Sequence, residues 1–79
     1  MRVDKFLKVS RIIKRRTVAA EAADAGKVYV NGRQVKPAHV LKPGDVVELR
    51  LGTSIKFVVK SLNDKASKED ASTLYEIQS

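Results

Sequence analysis

At Gly26 the rule that spaces apolar residues along this chain changes. Upstream, Val3, Phe6, Leu7, Ser10 and Ile13 follow i, i+3, i+4, i+7 spacing, which at about 100° per residue puts them on one face of a helix. Downstream, Val28 and Val30 alternate with Tyr29, and Asn31-Gly32 after them is the strongest short signal for a two-residue hairpin turn. With 79 residues there is room for one domain, near the lower size at which a single apolar core suffices. The expected fold is α+β, with two N-terminal helices packed on a small, mainly antiparallel sheet of two hairpins.

Arg2, Lys5, Lys8 and Arg11 fall opposite the apolar face of the first helix. Val9 and Ile12 intrude on that polar side, so either a neighbouring element covers them or the helix ends before Ile12 matters. Thr17 suits an N-cap and Gly26 the left-handed residue past a helix end, which places a second helix at about Val18 to Ala25. Alanines at 19, 20, 22, 23 and 25 make that helix thin enough to lie close against the first. The first hairpin returns through Val35, and Lys42-Pro43-Gly44-Asp45 has Pro and Gly where a type II turn wants them. Val47, Leu49 and Leu51, a Gly52-Thr53-Ser54 turn, then Ile55, Phe57 and Val59 form the second hairpin. Residues 1–62 are read as the folded unit, and 63–79 as a polar segment with a C-terminal extension. There Ser67 and Asp70 can cap one helical turn, and Thr73 to Ile77 reads as a short helix or an edge strand.

The net charge is +7, and it is unevenly spread. Residues 1–36 hold ten Lys/Arg and three Asp/Glu, whereas residues 37–79 hold six of each. Cations at a helix C-terminus complement its dipole by roughly 0.3 to 1 kcal/mol each, which accounts for one or two charges of Lys14, Arg15 and Arg16. It does not account for Arg2, Lys5 and Lys8 at the other end. Like charges at 5/8, 8/11 and 11/15 also repel at helical spacing. Such an arrangement is useful when an anion offsets the repulsion, and Arg and Lys together suit phosphate. A membrane-surface helix needs a free apolar face, which here is committed to the core, and no apolar run approaches membrane-spanning length. The expected nucleic-acid surface comprises Arg2, Lys5, Lys8, Arg11, Lys14, Arg15 and Arg16, with Lys27 and Lys36 beside it.

Other residues carry less. His39 is the single histidine and there is no cysteine, so no metal ligand set is expected, and a loop or packing role suits His39. Tyr29 points away from Val28 and Val30 and can stack on a base or pack on a neighbour. Asn31 answers the turn's need for positive φ, and Asp4 suits the helix dipole or a nearby Arg. Neither a catalytic pair nor a cofactor motif is present, and the expected setting is the cytoplasm.

"RVDKFL", the basic link "KRR", Ala25-Gly26, "VYVNG" and Gly44-Asp45 occur in an order and spacing that resemble the RNA-binding domain named after the fourth small-subunit ribosomal protein, its αL motif included. The likeness runs from residue 1 to about 60. A free-standing domain of this size, with "LYE" in its tail, resembles the branch of heat-shock protein fifteen and RqcP, and "SRIIKRRT" is nearer the RqcP pattern. The resemblance implies an RNA binder on large ribosomal subunits that carry stranded peptidyl-tRNA. The implied partners are large-subunit rRNA, that tRNA and RqcH, which the factor assists in untemplated alanine tailing of stalled chains. It implies that Arg2 and the link arginines, Arg16 above all, touch RNA backbone, and that the protein is a monomer off the ribosome. A heat-shock-type recycling factor and a protein-only adaptor are the alternative readings.

Overall fold

Helix α1, Val3–Val9, buries Val3, Phe6 and Leu7, and the chain beyond it buries Ser10 and Ile13, so the whole expected apolar face is inside. The computed structural model describes residues 1–78. α1 stops at Val9, and Arg11 follows in the left-handed region at φ 64°, with its N–H donating to the Lys8 carbonyl at 3.0 Å. Val9 and Ile12 end half-buried against the core, so both branches of the expectation for them hold.

Helix α2 spans Arg16–Asp24 and lies against α1 through the small side chains of Ala19, Ala22 and Ala23, all buried. It begins earlier than expected. Arg15 occupies the N-cap without a capping side chain, and Thr17 sits inside the first turn. Tertiary anchoring takes the place of a hydroxyl cap, because Ile13 is buried just before the helix and the Arg16 guanidinium is held by Asp4. The helix ends as expected, with Gly26 at φ +77°. A Cβ at Gly26 would collide with the Gln34 side-chain amide, which itself donates to the Gly26 carbonyl at 3.0 Å.

The strands are β1 Val28–Val30, β2 Arg33–Gln34, β3 Val46–Leu51, β4 Thr53–Val59 and β5 Tyr75–Gln78. They form one antiparallel sheet in the order β2-β1-β3-β4-β5. Asn31 and Gly32 both have positive φ, 52° and 83°, as a type I′ turn requires. Asn31 also ties this turn to the next, since its amide donates to Asp45 at 3.1 Å and its side-chain oxygen accepts the Val46 N–H at 2.9 Å. β2 is shorter than expected, and a single further bond from the Val35 N–H to the Val28 carbonyl extends its pairing. Pro37 follows closely and has no N–H to continue a ladder. Thr53 and Ser54, expected in a turn, belong to β4, because Leu51 pairs directly with Thr53 around Gly52.

Thr73 to Ile77 divides between the two alternatives, with Thr73 and Leu74 in a helical turn and Tyr75 to Ile77 in a strand. The Ser67 hydroxyl accepts the Asp70 N–H at 3.3 Å, a 3-10 turn covers Ala71–Leu74, and β5 then pairs with β4 as an edge strand. Leu74 and Ala71 are buried. One sheet face carries Val28, Val30, Val47, Leu49, Phe57 and Val59 into the core beneath the helices. Phe6 of α1 stacks on Phe57 at 6.1 Å between centroids, and Phe57 meets the edge of Tyr75 at 5.5 Å. The aromatic series joins helix, central sheet and edge strand. Among the described residues, no helix is long and apolar enough to cross a membrane.

Candidate nucleic-acid interface

Asp4 is the buried charge around which the basic surface is arranged. Its carboxylate is 5% exposed, and its two oxygens take one guanidinium each: Arg2 at 3.2 Å and Arg16 at 3.4 Å. The Lys5 N–H donates to the same carboxylate at 2.7 Å. Arg2 is placed by the N-cap of α1 and by a bridge to Val40, while the Val3 N–H donates to the His39 carbonyl and the Leu41 N–H to the Met1 carbonyl. Arg16 opens α2. Two arginines fourteen positions apart thus converge, and both remain about half exposed. The carboxylate satisfies one edge of each fork and leaves further N–H donors to reach an anion.

The remaining cations of α1 and the link continue this surface. Lys5 pairs with Asp64 at 3.2 Å, and that hydrogen bond, with the attraction of the ammonium, holds the Asp64 carboxyl below the usual aspartate range. Arg2, Lys5, Arg16 and Asp64 line one shallow groove. Lys8, Arg11, Lys14 and Lys68 line a second, with Asp64 at the boundary of both. Among the described residues, no carboxylate lies in ion-pair range of Lys8, Arg11, Lys14, Arg15 or Lys68. Arg15 is exposed at the N-cap of α2 but lines neither groove. Lys27 and Lys36 lie elsewhere. Lys27 is exposed between α2 and β1, and Lys36 lines a pocket at the C-terminal end of α2 with Gly26 and Gln34.

Asp64 and Lys68 were not among the residues expected here, because in sequence they belong to a segment whose charges nearly cancel. The fold carries that segment back across α1. Tyr29, by contrast, is half-buried on the open face of the sheet with the Arg50 guanidinium 4.0 Å from its ring centre, so a neighbour occupies the face that a base would use. Arg50 also reaches Glu48 at 3.4 Å. The Ser54 hydroxyl, donating at 2.8 Å, and then Arg50 lower the Glu48 carboxyl below its ordinary range. His39 is exposed in the loop before Val40.

The stretch that holds Arg2, Asp4, Arg16 and the Asn31-Gly32 turn is matched by the family model described as the S4 domain, over residues 1–47. The chain belongs to the S4 domain family. This S4 domain is 54% identical over 78 residues to the RQC P-site tRNA stabilizing factor of Streptococcus pneumoniae (strain ATCC BAA-255 / R6), covering 98% of this chain and 89% of that protein. It is 50% identical over 78 residues to the factor of the same name from Bacillus subtilis (strain 168), covering 98% and 91%. Heat shock protein 15 of Vibrio cholerae has the same fold, with a TM-score of 0.90 over 99% of this chain and 81% of that one, at 29% identity. The sequence is therefore nearer the tRNA-stabilizing factors than the heat shock protein.

Proposed function

We propose that this S4 domain is a non-enzymatic factor of ribosome-associated quality control that steadies the P-site tRNA on a large subunit stalled with its nascent chain. The convergence of Arg2 and Arg16 on the buried Asp4 carries this reading. Two forked guanidiniums held at one place can bind neighbouring phosphates of a folded RNA, where freely moving side chains would first have to be ordered. Lys5, Lys8, Arg11, Lys14 and Arg15 supply further charge along the same end of the molecule. The relatives' name supports tRNA as one partner, and large-subunit rRNA is the second polyanion that such a surface would meet at the same time. By holding the tRNA in place, the factor assists RqcH in untemplated alanine addition. Off the ribosome it is a monomer, its setting is the cytoplasm, and it needs no cofactor.

The test is sedimentation with purified large subunits that carry peptidyl-tRNA. Arg2→Glu with Arg16→Glu should abolish association; because the pair also strips the buried Asp4 carboxylate of both its cations, binding is measured at a temperature where circular dichroism shows the variant folded. Arg33→Glu with Lys56→Glu changes net charge equally at exposed positions of the sheet outside both grooves, and should bind nearly as the parent does. Phosphate contacts act locally, and screening at physiological salt sets in beyond about 8 Å. Equal loss in both pairs would reduce the interface to a diffuse field.

A further inference from the structure

The second groove differs in kind from the first. Its rim is cationic, formed by Lys8, Arg11, Lys14 and Lys68, but its floor is apolar, formed by Val9 and Ala66, both half-buried against the core. It is an open groove of about 440 Å³ beside one of about 510 Å³, so its lining rather than its size sets it apart. The one carboxylate at its edge, Asp64, is already engaged by Lys5. Phosphates alone would use the rim and gain nothing from the floor, whereas a base offers an apolar face of its own.

Arg11 supplies an independent observation. It sits at φ 64°, a conformation that glycine takes freely and arginine does not. Glycine would close α1 with less strain, so an arginine at this place points to work done by its side chain. Its planar guanidinium can both bind phosphate and lie against a base.

We propose that this groove takes one unpaired nucleotide of the bound RNA, with its base on Val9 and Ala66 and its flanking phosphates among Lys8, Arg11, Lys14 and Lys68. The inference rests on the RNA-binding reading above and adds to it a preference for a looped or bulged residue. Bases inside a regular duplex are stacked and cannot enter such a groove, so a nucleotide that has left the stack is the ligand that fits. The segment around Ala66 and Lys68 thereby becomes one wall of a binding site.

Three RNA hairpins separate the possibilities by fluorescence anisotropy at one salt concentration: fully paired, with a single-nucleotide bulge, and with an abasic residue at that bulge. The parent protein should prefer the bulged hairpin by about 2- to 5-fold, the range expected for a guanidinium lying on an exposed base in a groove without an aromatic ring, and the abasic bulge should lose that preference. Arg11→Gly and Ala66→Asp should each bring bulged and paired hairpins to equal affinity; because one removes a cation from the surface and the other adds an anion, both hairpins bind more weakly and the ratio of the two affinities is the readout. The melting midpoint of Arg11→Gly should be unchanged or raised, which shows that lost preference is not lost fold. Equal binding of bulged and abasic RNA, or an undiminished preference in both variants, would overturn the nucleotide site and leave the RNA-binding reading standing. Absence of binding to any hairpin would overturn both. An acidic peptide that displaces the bulged hairpin, and loses its own affinity in Arg11→Gly, would assign the groove to a protein partner instead.

Discussion

The helical end and the open sheet face carry similar kinds of charge and treat them in opposite ways. On the sheet, Arg50 is spent on Glu48 and the Tyr29 ring, and at the sheet's edge Lys60 meets Glu76 at 3.0 Å. Around α1 and the link, one buried carboxylate serves two arginines, and among the described residues Lys8, Arg11, Lys14 and Arg15 have no acidic partner in range. A surface whose charges answer one another is a solvated surface. One whose charges are held in place but unanswered is prepared for an outside anion, at the expense of mutual repulsion that folding must absorb.

The contrast can be broken from the sheet side first. Gly32→Val forces a β-branched residue into φ +83° in the first hairpin, with nothing within 4 Å of the new Cβ to add a collision, so the effect is backbone strain alone. Denaturant unfolding without RNA should show a loss of about 1 to 3 kcal/mol. RNA affinity, measured where the variant is still folded, should not change. A fall in affinity would mean that the two regions are not separable.

Asp4→Ala attacks the helical side. It should lower stability by about 1 to 2 kcal/mol, less than the full value of a buried ion pair because both guanidiniums are half exposed. RNA binding should fall on the order of tenfold although a negative charge has been removed, since Arg2 and Arg16 lose their common anchor. Tighter binding would show that net charge outweighs arrangement.

Acid gives the smallest effect. Asp64 and Glu48 both titrate below their ordinary values, so each contributes stability above its unfolded-state pKa and loses it as pH falls through the lower folded one. Carboxyl chemical shifts followed by NMR should place both midpoints below the reference values of 3.8 and 4.5. On protonation of Asp64, the contact between residue 64 and Lys5 should loosen before the core does.

Most of the fold was legible because its signals are local. The face from Val3 to Ile13, the Asn31-Gly32 turn and the alternation from Val47 to Val59 each declare themselves within a few residues. What escaped depends on partners distant in sequence. Thr17 gave way as a cap because Asp4, thirteen positions earlier, holds Arg16, and β4 gained Thr53 and Ser54 because β3 has the matching length to pair with them. Within the candidate site, the arginines were visible as a charge run. The role of Asp4 as a shared anchor, and the return of Asp64 and Lys68 across α1, were not, since no spacing rule links residues 5 and 64.

The aromatic contact of Phe57 with Phe6 on one side and Tyr75 on the other also has a consequence in time. The core is sealed by residues from both extremities of the chain, so neither end can fold to completion before the other has been made. At roughly 5 to 20 residues per second, synthesis of 79 residues occupies about 4 to 16 seconds, far longer than a small helical hairpin needs to form. During that interval the helices and β1 to β4 are made before β5, and the edge contact of Tyr75 on Phe57 closes the core only once Tyr75 has been added.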